Sequence, residues 1–217
     1  MDRRQKLASF ATSHAGCSSV LNVEKYVEAC IRPVDRAPRA HSFYFGNPTL
    51  STCSLVVCEC YEACGSEELE FVDTYLPPGG GVRDSMVDVQ VVARRCGAWV
   101  PASKDMSPPS QGDVWIITND AGDAHAGICT ADAVAPPNGS WTMETVEGGQ
   151  MPLDEHGRAV AGQGSSAVAA FAGDKARHLA WNGSHWMMGQ RYLLGYASAG
   201  KMPVPDDNVS PDETLQP

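Results

Sequence analysis

Between residues 98 and 197 the chain repeats one device: a short apolar or alternating run, then a turn-forming cluster. Val114-Trp115-Ile116-Ile117-Thr118 is continuous in buried-type side chains, and Asn119-Asp120-Ala121-Gly122-Asp123 stops it. His125 to Thr130 follows, closed by Pro136-Pro137-Asn138-Gly139, and Trp141 to Glu147 then alternates with period two. Ala167 to Ala172, the stretch around Ala180-Trp181, and Arg191 to Tyr196 continue the series, with Ala98 to Pro101 as a short extended piece before it. Links this short join antiparallel neighbours, because parallel strands need a longer crossover. The second half of the chain is expected to be an antiparallel sheet.

The first half has a different period. Residues 2–14 predict a short helix with Leu7, Phe10 and Ala11 on one side, and Asn22 is placed to cap a second running to Cys30. Ser51 to Gly65 fits a helix with small polar residues at its start and a glycine stop. Ser85-Met86-Val87-Asp88 reads as a capping box for a helix closing at Cys96-Gly97. Residues 33–49, Pro77 to Gly81 and the Gly-rich stretch 148–166 read as loops, the second a candidate site rim. Helices first and hairpins after predict a single α+β domain over residues 1–200, with N-terminal helices packed on an antiparallel sheet. Residues 201–217, acidic and proline-containing, are expected to be a disordered tail.

Bulk properties narrow the function classes. With 26 acidic against 16 basic residues the formal charge is -10, which argues against nucleic acid as a partner and offers no electrostatic hold on an anionic membrane. No apolar run is long enough to span a bilayer. Met1 to Lys6 is basic, but Leu7 to Ala11 is too short and broken for a signal-peptide core, so no ordinary secretion signal is expected. The eight cysteines include no C-x-x-C pair, and most are expected to be reduced, buried small hydrophobes rather than metal ligands. No motif calls for a cofactor.

One cysteine stands apart. Cys53 falls in the first turn of its helix, where the dipole and unpaired backbone N–H groups favour the thiolate, the nucleophilic form. Such a nucleophile needs a base within hydrogen-bond reach and a third group to orient that base. His125 opens an apolar strand directly after a turn, so rigid backbone holds a ring that titrates near neutrality. Glu147 ends the alternating strand just before two glycines and is the first choice as orienting group, with Glu144 the alternate and Gln150 a further polar option. The backbone N–H of Cys53, joined by Ser54, would start an oxyanion hole, and the loop carrying Tyr44 and Asn47 could add a donor. The other histidines fit less well: His41 lies in an irregular loop, His156 in the Gly-rich stretch, His14 at a helix end, and His178 and His185 bracket a hairpin turn.

Thr52-Cys53-Ser54-x-x-Val57, Gly112-Asp113-Val114, His125-Ala126-Gly127-Ile128 and Val146-Glu147-Gly148 together resemble the CHAP and NlpC-like cysteine hydrolases. The resemblance covers residues 3–200 and implies a papain-like fold. It also implies hydrolysis of amide bonds in the stem peptide or cross-link of bacterial peptidoglycan, with Cys53 as nucleophile, His125 as base and Glu147 as orienting acid. Two positions depart from it: Thr52 stands where an Asp often precedes the nucleophile, and Gly149 where an Asn often follows the acid, with Gln150 adjacent. Amidase and endopeptidase would use the same residues. Such an enzyme could be a phage lysin, or an effector delivered by a secretion machine and countered by a cognate immunity protein. The rivals are a papain-like protease or acyltransferase on a non-wall substrate, and an inactive binding module in which Cys53 is merely packed.

Overall fold

The structure is a computed structural model that describes residues 2–18, 20–30, 53, 56, 57, 60, 90, 93, 94, 96–135, 139–161 and 167–202. Helix α1 spans Arg3–Ser13, capped by the Asp2 side chain, and α2 spans Val23–Cys30. Cys53, Val56, Val57 and Cys60 are also helical, as are Gln90, Ala93 and Arg94. The strands among the described residues are β1 (Trp99–Pro101), β2 (Val114–Thr118), β3 (His125–Cys129), β4 (Ser140–Met143), β5 (Thr145–Gln150), β6 (Ala167–Phe171), β7 (Arg177–Trp181), β8 (Trp186–Met188) and β9 (Arg191–Ala197). No helix of the described residues is long and apolar enough to cross a membrane.

All nine strands join one antiparallel sheet in the order β4-β7-β8-β9-β2-β3-β5-β6, with β1 paired to β9. The curl of that sheet decides where the site lies. β4 and β5 are consecutive in the chain, yet β4 is one end of the sheet and β5 lies beside the other, with only Glu144 between them. The chain therefore turns a corner at Glu144 and draws the two wings together into a half-barrel. The partner chain turns with it: Thr145 faces Phe171 on one side of the corner, Met143 faces Arg177 on the other, and the 3₁₀ turn Gly173–Lys175 lies between. The Gly173 N–H donates to Glu144 Oε1 at 3.3 Å and ties the two bends.

Period-two alternation sorts side chains onto the two faces of the sheet. Val114, Ile116, Ala126, Ile128 and Val146 pack on one face with Leu7, Ala11, Tyr26, Cys53, Val56, Val57 and Cys60. Trp115, Ile117, Cys129, Trp141, Met143, Leu179, Trp186, Leu193 and Tyr196 form a second cluster on the other face. β2 is buried along its whole length because it is covered on both faces, which is why its sequence is a continuous apolar run.

The papain-like α+β expectation, with N-terminal helices packed on an antiparallel sheet, is corrected here. The described residues form mostly an antiparallel half-barrel sheet with slight helical content. Only Leu7, Ala8 and Ala11 of α1 are buried, too small an apolar stripe to found a helical layer, whereas the strand-forming runs after residue 98 bury against one another. Two finer expectations also shift. Trp141 to Glu147, read as one strand, is broken at Glu144, and the segment read as a loop from residue 148 continues β5 to Gln150. The tail from residue 203, the loop Pro77 to Gly81 and the capping box at 85–88 lie outside the described residues.

Candidate active site

Arg4 and Asp113 join α1 to the start of β2. Asp113 is buried beneath α1, where Arg4 Nη1 donates to its Oδ1 at 2.6 Å and the Ser110 and Ala199 N–H groups donate at 2.9 and 2.8 Å. Burial pushes the Asp113 carboxyl up, and those N–H groups and Arg4 hold it back. The Gly-Asp pair before β2 thus clamps α1 to the sheet.

His125 opens β3 opposite Ile117, with its ring edge-on to Trp115 at 5.7 Å between centroids. The ring shares a hydrogen bond with the Cys53 side chain. Its Nε2 donates to Glu147 Oε2 at 2.8 Å. Cys53, His125 and Glu147, widely separated in the chain, therefore form one continuous chain of contacts. Burial alone would lower the imidazole pKa, but the hydrogen bonds to Cys53 and Glu147 and their charges raise it to about 9. That shift favours the imidazolium at neutral pH.

Glu147 is fully buried. An isolated carboxylate there would be costly, and four close donors, with Gln150 Nε2 a longer fifth at 3.3 Å, answer it. Arg177 donates from Nε to Oε1 at 2.6 Å and from Nη2 to Oε2 at 2.5 Å, a two-pronged grip, while Thr145 Oγ1 donates to Oε1 at 2.7 Å. His125 is the fourth. Burial would raise the Glu147 pKa, and the hydrogen bonds from Arg177 and then His125 hold it below the ordinary range. The guanidinium lies over the Phe171 ring, 3.6 Å from its centroid.

Gln150 joins through a bulge. Between the pairs Glu147–Ala169 and Gln150–Ala167, Gly148 and Gly149 on β5 face Val168 alone on β6, and Gly149 takes φ +66°. The extra residue resets the alternation, so Gln150 returns to the Glu147 side instead of pointing away. Its Nε2 lies 3.3 Å from both Glu147 Oε2 and His125 Nε2. Gly127, two residues after His125, is required by close approach: a Cβ there would sit 2.6 Å from Trp115 Cζ2 and 2.7 Å from Glu147 Cγ.

Of the residues singled out in the sequence, Cys53, His125, Glu147 and Gln150 come together. Glu144 does not join them; it holds the corner through Gly173. Ser54, Tyr44, Asn47 and His41 lie outside the described residues. His178 lies 3.1 Å from Thr142 Oγ1 across the β4–β7 pair and His185 packs on Tyr192, and neither contact reaches the site. Arg177 and Thr145 were missed. Arg177 carried one signal: with Leu179 and Trp181 it shares the inward face of β7, and a charge there requires a partner.

Cys17, Cys53, Cys60, Cys96 and Cys129 are not disulfide-bonded. Burial pushes Cys17 up to about 11 and Cys129 well above the ordinary thiol value, which makes both inert. Among the described residues no group of three or more His, Cys, Asp or Glu is arranged to hold a metal ion. Cys53 is 1% exposed and His125 7%, so solvent meets the imidazole edge before the sulfur. No family model and no curated protein matches the chain.

Proposed function

We propose that the protein is a cysteine amidase or endopeptidase that hydrolyses amide bonds in bacterial peptidoglycan. The observation that carries the chemistry is the unbroken series of hydrogen bonds from Cys53 through His125 to Glu147. The wall substrate is inferred from the motif resemblance at Cys53, His125-Ala126-Gly127-Ile128 and Glu147-Gly148.

In this mechanism the Cys53 thiolate, paired with the His125 imidazolium, attacks the amide carbonyl carbon. The carbonyl π electrons move to oxygen, and the Cys53 backbone N–H stabilises that oxyanion. On collapse the C–N bond breaks and the amine leaves with the proton from His125. The neutral imidazole then takes a proton from water as the hydroxide attacks the thioester, and the carboxylate product departs from Cys53 sulfur. Glu147 stays ionised and holds the ring's orientation; it does not take the proton.

The test is digestion of purified peptidoglycan with mass analysis of the soluble fragments. Wild type is expected to release free stem peptides or newly exposed amines, and Cys53→Ala is expected to release neither. Fragment profiles identical to an enzyme-free control would refute the wall substrate. A second reading has one observation in its favour: the burial of Cys53 suits a binding module whose polar chain is structural. In that case Cys53→Ala would leave ligand binding intact and no fragment would appear with either protein.

A further inference from the structure

We propose that Arg177 is a positioning residue whose positive charge balances the buried Cys53–His125–Glu147 chain and so sets the lower pH limit at which Cys53 is reactive. This inference rests on the proposed pairing of Cys53 with His125. Four groups stand in sequence with alternating sign: thiolate, imidazolium, carboxylate and guanidinium. Their sum is zero. Without Arg177 the same chain carries a net negative charge inside the protein, and such a site sheds that charge by taking up a proton.

The geometry singles out Arg177 as the balancing cation. It meets both oxygens of Glu147 from β7, reaching them only because the sheet curls at Glu144, and the Phe171 ring beneath fixes the plane of its guanidinium. The other groups facing Glu147 are His125 and, at longer range, Cys129 from β3, and Thr145 and Gln150 from β5. Thr145 and Gln150 are neutral, and Cys129 remains a neutral thiol through the physiological range. Asp113 and Asp132 act on Cys129, and Arg4 is spent on Asp113. Among these described neighbours, only Arg177 both touches Glu147 and carries a permanent positive charge.

The test follows Cys53 carboxamidomethylation by iodoacetamide, read by peptide mass mapping across pH 4–9, so it requires no substrate. Removing a cation raises the proton affinity of the whole chain. In Arg177→Gln the acid limb of the alkylation profile is expected to move up by about one pH unit, a roughly tenfold slower rate on the acid side. Arg177→Lys, which keeps the charge without the two-pronged grip, should bring the limb back toward wild type. Phe171→Leu, which leaves the guanidinium less firmly held, should shift it the same way by less than Arg177→Gln, and it is the deciding variant if Arg177→Gln does not fold. An acid limb unmoved in folded Arg177→Gln, or in Phe171→Leu where that variant decides, overturns the proposal while leaving the Cys53–His125 pairing standing. Wild-type alkylation at Cys53 that ignores His125→Ala would overturn the pairing and this inference with it.

Discussion

Gly127→Ala is the sharpest test of how the site is packed. The added methyl would fall 2.6 Å from Trp115 Cζ2, 2.9 Å from Trp115 Cε2 and 2.7 Å from Glu147 Cγ. Carbon atoms rest at about 3.5–4.0 Å, so each contact is about 1 Å too short. Neither neighbour can retreat cheaply. Trp115 is fully buried within its cluster, and Glu147 is pinned by Arg177, Thr145 and His125. The cost should therefore lie toward the upper part of the usual overpacking range of about 1–3 kcal/mol. For a chain of this size each kcal/mol lowers the melting temperature by about 2–4 °C, so a loss of about 2–3 kcal/mol gives a drop of roughly 4–12 °C. Thermal and urea unfolding followed by tryptophan fluorescence measure it, and Cys53 alkylation at neutral pH should slow as Glu147 is displaced. A variant that melts with wild type and alkylates at the same rate would refute the Gly127–Trp115–Glu147 packing.

Three other expectations follow from the charges. Glu147→Gln should cost about 3 kcal/mol at pH 7, because it strands Arg177 against an uncharged partner. The folded Glu147 pKa is lowered, so its stabilisation is present above the ordinary carboxyl value and lost as pH falls; urea unfolding should show the gap between variant and wild type closing from about pH 4.5 downward. Arg4→Met should destabilise by roughly 2 kcal/mol by leaving buried Asp113 without its cation. The Asp113 pKa is already raised, so its favourable contribution belongs to low pH and fades as pH rises; the Arg4→Met deficit should therefore grow from pH 3 to pH 7 in the same assay, and a deficit that shrinks would contradict the clamp. Hydrolysis should fall above about pH 9 as His125 loses the proton it gives to the leaving amine, read as the alkaline limb of kcat/KM.

The parts of this molecule legible in the sequence are those governed by local chemistry. β2 and β3 announce themselves because a buried run ends at Asn119 to Asp123, and the same turn marks His125 as a strand-opening residue. Glu147 could be chosen because it closes an alternating run before two glycines. What alternation could not reveal was the break at Glu144: Trp141 to Glu147 keeps its period through the corner, so one strand was expected where two meet. That corner in turn hides Arg177, which reaches Glu147 across the curl and not as a strand neighbour. Gln150 was kept as an option by adjacency, but its direction depends on a bulge whose residues are two glycines with no side-chain signal. The α+β expectation gave too much weight to helical periodicity in α1, where the buried stripe is chiefly alanine around one leucine.

The proposed chemistry depends on the reactivity of one buried sulfur, and competitive alkylation at limiting iodoacetamide near pH 6.5 measures it. Cys96 is exposed and Cys53 is not, so access alone favours Cys96. An ordinary thiol is only about 1% ionised at that pH, whereas a thiolate held by an imidazolium is largely ionised. Cys53 is expected to be labelled at least tenfold faster than Cys96, allowing for its lower intrinsic nucleophilicity, and to lose that advantage in His125→Ala. Slower labelling at Cys53 than at Cys96, with no change in His125→Ala, would contradict an activated pair.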